Sequence, residues 1–279
     1  MKVVVLFLFF LPSMFVGFAY YRYGRRGVLA FVQNKIIYHS PITREQYEEL
    51  DKYLSNKNEF YKHLSIGGRA KFLQRLMRFN HQMKYEGQEG LEVTQEMKVL
   101  VASAAIQLTY GLNYFIFENL KGFKIYPSIF YNRIIKHHLK GGMPPEGKMM
   151  LSWEHVQHGF YYPEDRYNLA LHEMAHALKL SIKYAYNFDI HFYSYLESWN
   201  IRSRRVFMQM KHQNDNFLRA YAATNMEEFF AVSVEHFFEA PDEFKVSLPD
   251  LYTQLSIMLN LDPLNKQNDY EIKRRKWLI

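Results

Sequence analysis

Residues 169–180 read Leu-Ala-Leu-His-Glu-Met-Ala-His-Ala-Leu-Lys-Leu and set His172, Glu173 and His176 inside an apolar, alanine-rich run. Helix-forming residues dominate the stretch, and on an α-helix positions four apart lie on one face. The imidazoles of His172 and His176 therefore converge on a point that one Zn2+ can occupy, with Glu173 beside it as a general base. The flanks predict an amphipathic helix of about four turns, opened after Pro163 by Glu164 and Asp165. Two histidines and a glutamate on a helix can also be a plain solvated stripe. Leu169, Ala170, Ala175 and Leu178 leave few exposed positions around this one, which favours the metal.

A catalytic zinc needs a third protein ligand and an open position, and a His-His-Glu set is one solution. Downstream carboxylates are Glu197, Glu227, Glu228, Glu235 and Glu239. The separation of Glu197 from His176 is near that of thermolysin-type enzymes. The run from Thr224 to Phe238 is more decisive, because it reads as a mostly apolar helix that carries Glu228 and Glu235 seven apart on one face. Thr224 and Glu227 are spaced as a capping box, which gives Glu227 a structural task. An ionised carboxylate in apolar surroundings is costly unless paired or metal-bound, so Glu228 is favoured as the ligand and Glu235 as the partner of a ligand. A core salt bridge accounts for Glu235 equally well. The histidines at 137, 138, 155 and 158 read as surface residues, since no helix clearly brings them onto a metal.

The chain is 279 residues long with 48% hydrophobic residues, enough for one large domain with a sizeable core plus an appendage. Its 23 phenylalanines and 22 tyrosines can line both core and cleft. Cysteine is absent, which excludes disulfides, thiol nucleophiles and a lipoprotein signal, and fits a reducing compartment.

Val3 to Tyr21 is an uncharged run of 19 residues, close to the span of a bilayer core. No small-x-small cleavage site follows it, so it reads as a transmembrane anchor rather than a signal peptide. Tyr20, Tyr21 and Tyr23 suit the membrane interface, and Arg22, Arg25 and Arg26 outweigh Lys2 in front of the run. The positive-inside rule then puts the rest of the chain in the cytoplasm, on the inner face of a bacterial inner membrane. The net charge of +7 is concentrated in these arginines and in Lys273 to Lys276. Such clusters near a membrane segment are topology or lipid-facing charge, and no direct nucleic-acid binding is expected.

Between anchor and helix, Thr43 and Gln46 open a short polar helix after a basic connector. Apolar residues from Phe72 to Phe79 predict a long helix, and Thr94 to Leu108 a second, buried one. Tyr114 to Phe117, Phe123 to Pro127 and Lys148 to Trp153 read as short strands, with a glycine-rich loop at Gly141 to Gly147. The segment from Gly142 to Trp153 could form an edge against which an extended peptide lies.

Tyr221 to Pro241, together with the His172–His176 motif and Leu151-Ser152-Trp153, resembles the Mlc titration factor A (MtfA) peptidase family, and the resemblance runs from about Phe60 to Pro263. It implies a zinc metallopeptidase related in its catalytic domain to the anthrax lethal factor protease. The implied zinc ligands are His172, His176 and Glu228, the base is Glu173, and Tyr221 is a hydrogen-bond donor to the developing oxyanion. It also implies a transcription-factor partner, since the founding member binds the repressor Mlc. Lys179, where the family often has an aspartate, and the N-terminal anchor both depart from the pattern.

The expected fold is α+β: a predominantly helical, zincin-like metallopeptidase domain with a small β-sheet, preceded by one N-terminal transmembrane helix. Residues 1–23 form the anchor, 24–64 the connector and membrane-proximal helix, 65–265 the peptidase domain and 266–279 a basic tail. The expected activity is hydrolysis of a peptide or protein substrate with one Zn2+ per chain. Sequestration of a transcriptional repressor, with peptidase activity secondary, is the alternative.

Overall fold

The structure, a computed structural model, describes residues 42–144, 146–184, 189–211 and 217–272. The expected anchor, most of the basic connector and residues 273–279 of the tail lie outside them. Among the described residues no helix is long and apolar enough to cross a membrane.

Helix α1 (Arg44–Lys57) starts where the sequence places it, in a full capping box between Thr43 and Gln46. The single turn α2 (Glu59–Lys62) follows, and Leu54, Phe60 and Tyr61 are buried in the main core. Ser65 then caps α3 (Ile66–Gln82), where Phe72, Leu73, Leu76 and Phe79 share one face at helical spacing.

Strand β1 (Lys84–Gly87) leads to α4 (Gln95–Leu108), capped by Thr94. Residues from Val99 to Leu108 are buried all round this helix. A helix apolar on every side must be central, and α4 packs between α3 and the motif helix.

Strand β2 (Gly122–Tyr126) precedes the hairpin of β3 (Phe130–Asn132) and β4 (His137–Leu139). The chain continues into β5 (Gly141–Gly142) and β6 (Lys148–Ser152). The main sheet has the order β1-β2-β6-β5, with β1, β2 and β6 parallel and β5 antiparallel at the edge. Phe123, Ile125, Met149 and Leu151 alternate along β2 and β6 and point into the core.

Two expectations about strands need correction. Tyr114 to Phe117 forms no strand, although Phe115 and Phe117 are buried. The place beside β2 is taken by β1, and the Asn113 and Tyr114 amides donate instead to the buried Asp189 carboxylate at 2.9 and 3.3 Å. A strand former without a free sheet edge stays irregular. Trp153 does not end β6 but opens α5 (Trp153–Tyr161), and β6 is an inner strand, so β5 provides the edge.

Helices α6 (Leu169–Tyr184), α7 (Ile190–Met210) and α8 (Met226–Glu239) form the other half of the molecule, with a 3-10 turn at Ala220–Ala223. Proline begins both α9 (Pro241–Ser247) and α10 (Pro249–Leu259), where its missing N–H costs nothing. α6 packs on α8, and α10 on α7. Tyr270 folds back to stack on Phe60 at 4.0 Å between ring centroids and donates its hydroxyl to the Phe60 carbonyl.

Candidate metal centre

Helix α6 begins one turn later than Glu164 and Asp165 suggested, since those residues lie in a turn before it. Asn168 opens the helix: its side-chain oxygen accepts from Leu171 N at 3.1 Å and its carbonyl from His172 N at 2.9 Å. His172 and His176 then project from one face of α6.

The cap of α8 also differs from expectation. Thr224 ends the 3-10 turn, and Asn225 is the N-cap, its side chain accepting from both Glu227 N and Glu228 N at 2.9 Å. Asn225 has the extended backbone an N-cap needs, at φ −160° and ψ 174°, whereas Thr224 is helical. The first turn of α8 is thereby fixed against α6, with Glu228 facing the histidines.

Nε2 of His172 lies 3.1 Å from Nε2 of His176 and 3.0 Å from Oε2 of Glu228, and the His176–Glu228 separation is 3.4 Å. These three side chains form a group able to hold a metal ion. A tetrahedral zinc with bonds of about 2.0–2.1 Å has ligand–ligand edges near 3.3–3.4 Å, so the triangle fits such an ion. Glu197 lines the same cleft but is not part of the group.

Glu235 is behind the triangle and fully buried. Its Oε1 is 2.7 Å from Nδ1 of His172 and also pairs with Arg219, while Oε2 accepts from the Asn168 backbone N–H at 2.7 Å. A carboxylate can only accept, so Nδ1 of His172 carries a proton toward Glu235, and Nε2, which donates to Glu228 here, is the nitrogen that would give up its proton to hold a metal. Burial pulls the His172 imidazole down, but hydrogen bonds to Glu228 and Glu235 outweigh it and lift the value to about 10. Burial raises Glu228, yet its hydrogen bonds with His172 and His176 hold it well below the carboxylate range.

Glu173 is buried on the cleft wall against Gly141 of β5. Burial raises its pKa, against the lowering pull of His172 and His176. Tyr221 is half exposed, its ring centroid 6.0 Å from that of His172. Burial, then the charges of Glu228 and Glu173, raise its hydroxyl. The cleft has a volume of about 1230 Å3 and reaches from Gly141 across the triangle to Arg204.

The four histidines read as surface residues, at 137, 138, 155 and 158, stay apart from the triangle. His155 pairs with Ser152 Oγ at 2.8 Å, His158 lies 3.4 Å from Asp165, and His137 and His138 are exposed on β4.

Residues 31–259 match the glucose-regulated metallo-peptidase M90 family. The chain belongs to that family. It is 26% identical over 238 residues to an uncharacterized protein of Synechocystis, covering 76% of this chain and 83% of the relative. It is also 26% identical over 237 residues to Mlc titration factor A of Klebsiella pneumoniae, covering 73% and 83%.

For this M90 member the sequence pattern missed three supporting residues. Asn168 carried a legible signal, a capping residue before an apolar run. Arg219 and Gly141 carried none, because their roles depend on contacts with distant elements. Lys179, noted as a departure, lies on the cleft wall with Nζ 3.9 Å from Oε1 of Glu227 and 5.5 Å from the centre of the Phe230 ring. It therefore faces a carboxylate at the start of α8.

Proposed function

We propose that this metallopeptidase-family protein is a zinc peptidase in which His172, His176 and Glu228 hold the metal. The single observation that carries the reading is the convergence of these three side chains, at tetrahedral spacing, on the wall of a cleft that also contains Glu173. Zinc bound there supplies a Lewis acid that polarises the scissile carbonyl and brings the pKa of a bound water toward ~7.

The protein groups then divide the work. Glu173 takes a proton from the attacking water and passes it to the leaving amine. Its burial supports this role, because a raised pKa makes a carboxylate a better proton acceptor. Tyr221, at the cleft mouth, donates a hydrogen bond to the carbonyl oxygen as charge develops on it. Glu235 holds the tautomer and orientation of His172 and does not touch substrate. An extended peptide lies along β5, whose open side faces the cleft through Gly141, Gly142 and Met143.

The run from Val3 to Tyr21 anchors the chain in a bacterial inner membrane, with Arg22, Arg25 and Arg26 keeping the catalytic part cytoplasmic. A reporter fused after Ile279 and active only outside the cytoplasm would reverse this orientation. A second reading, capture of a transcriptional repressor, is supported by the relatives called Mlc titration factor A.

Metal analysis combined with a peptide-library digest tests the main reading. Stoichiometric zinc with cleavage lost in Glu173→Gln supports it. Cleavage by that variant at the parental rate would rule the mechanism out, and partner binding without any cleavage would favour the second reading.

A further inference from the structure

The hairpin of β3 and β4 exposes apolar side chains at its tip. Ile134 is 88% exposed and Ile135 51%, and Ile129 and Tyr131 just before them are exposed as well. Single exposed apolar residues are ordinary, but a cluster within one short hairpin marks an interaction site. The opposite face of the hairpin is covered. Phe130 is buried and stacks on Tyr126 at 3.9 Å between ring centroids, and its cross-strand partner Leu139 is half-buried. One face thus holds the hairpin on the body and leaves the tip free.

Charge around the tip is of one sign. No Asp or Glu occurs between Glu118 and Glu146, whereas Lys121, Lys124, Arg133, Lys136 and Lys140 do. Arg133 and Lys136 flank the two isoleucines and are exposed, and neither forms a salt bridge among the described residues.

The backbone of the tip suits an apolar medium. Asn132 Oδ1 accepts from Ile134 N at 2.9 Å and from Ile135 N at 3.3 Å. Amides satisfied within the turn cost less to take out of water. Tyr131 and His138 face each other across the strands, with ring centroids 5.2 Å apart, and an aromatic pair of this kind suits a membrane interface.

We infer that the β3–β4 hairpin docks on an anionic lipid bilayer, with Ile134 and Ile135 entering the boundary between headgroups and acyl chains and Arg133 and Lys136 meeting the lipid anions. An apolar tip with a basic flank is the combination an interfacial contact uses. A bilayer is favoured over an acidic protein because the uncharged run from Val3 to Tyr21 lies in the same chain, and residues 24–41, even fully extended, reach at most about 60 Å. The inference rests on the proposed anchor only for this nearness, and on neither zinc nor peptidase activity. Only Lys140 separates β4 from β5, whose glycines border the metal cleft, so docking holds that cleft close to the lipid.

The chain has no cysteine, so Ile134→Cys offers a single site for an environment-sensitive fluorophore, and Val246→Cys on α9, at 83% exposure, offers a control. Full chains are reconstituted into vesicles of phosphatidylcholine, either alone or with about one third phosphatidylserine, that carry a nitroxide-labelled lipid as quencher. On the anionic vesicles the label at 134 should shift to the blue and be quenched about threefold or more beyond the label at 246, and beyond itself on phosphatidylcholine alone. Adding Arg133→Gln/Lys136→Gln should reduce its quenching to the level on phosphatidylcholine. Equal quenching at the two positions, or on the two kinds of vesicle, overturns the inference. A blue-shifted label that the lipid quencher does not reach means that protein covers the tip, and overturns it too. Alkaline carbonate extraction reads the anchor separately: a chain retained by the vesicles without quenching at 134 sinks the docking and leaves the anchor standing.

Discussion

Nδ1 of His172 lies 2.7 Å from Oε1 of Glu235, a carboxylate with no exposed surface that also meets Arg219 and the Asn168 backbone N–H. A single carboxylate thus ties the imidazole on α6 to α8, to the 3-10 segment and to the first residue before α6. Replacing Glu235 with Gln puts a donor-bearing amide where only an acceptor fits and leaves Arg219 less well compensated. Metal affinity should fall about 10–100-fold, as with other partners of ligating histidines. Competition against a chromophoric chelator measures it, and affinity within twofold of the parent would deny Glu235 this role.

Glu173→Gln keeps shape and burial but removes the base. Peptide hydrolysis should fall by about 10²–10⁴-fold while metal content is retained, as determined by steady-state kinetics alongside elemental analysis. Equal loss of metal would mean that Glu173 supports the site rather than the proton transfer.

Gly141 is close to the base from the sheet side. A Cβ at this position would sit 2.5 Å from Oε1 of Glu173 and 2.9 Å from its Cγ and Cδ, so Gly141→Ala must displace the carboxylate. A misplacement of about 1 Å can cost about 10²-fold in rate. The expected result is a matching loss of kcat with full metal occupancy, and parental kcat would show that the cleft accommodates the methyl group.

Tyr221→Phe removes only the hydroxyl. If that group stabilises the developing oxyanion, kcat falls about 10²–10³-fold with little change in KM. A rise in KM at constant kcat would assign Tyr221 to substrate binding instead. Half exposed, the side chain contributes little to the core, so the melting temperature should hold.

Stability should respond to pH through Glu239. Its ordinary value of 4.5 is raised by burial to about 9, so between these the folded protein keeps a proton that the unfolded chain gives up. The contribution is complete below 4.5 and is lost as pH rises through about 9. His236 works in the opposite sense, since burial lowers it from 6.5 to about 4 and its contribution is lost as pH falls through that range. Between pH 6 and pH 9 the melting temperature of the parent should therefore drop relative to Glu239→Gln, and a constant gap across that interval would contradict the assignment.

Much of the helical half was legible from residues alone. Capping at Thr43, the apolar spacing of Phe72 to Phe79 and the helix-forming run from Thr94 to Leu108 are local signals, set by side chains within one or two turns, and the three helices appear where expected. Strands were harder to read. Tyr114 to Phe117 has the composition of a strand, while Lys84–Gly87 does not, yet the latter pairs with β2. Pairing depends on which segment reaches the open edge, and that is decided by how α3 and α4 place their ends.

The metal site divides in the same way. His172, Glu173 and His176 share five residues of one helix, so the 3.6-residue period alone brings both imidazoles to one face and the base beside them. Glu228 could be favoured over Glu197 from its apolar helix, but its place 3.0 Å from His172 follows from the packing of α8 on α6 and the cap at Asn225. The tautomer of His172, held by Glu235 with Arg219, and the closeness of Gly141 to Glu173 were decided by tertiary structure alone. Helical periodicity acts over a few residues and can be read in order along the chain, whereas these contacts join residues tens of positions apart and exist only once the core has packed.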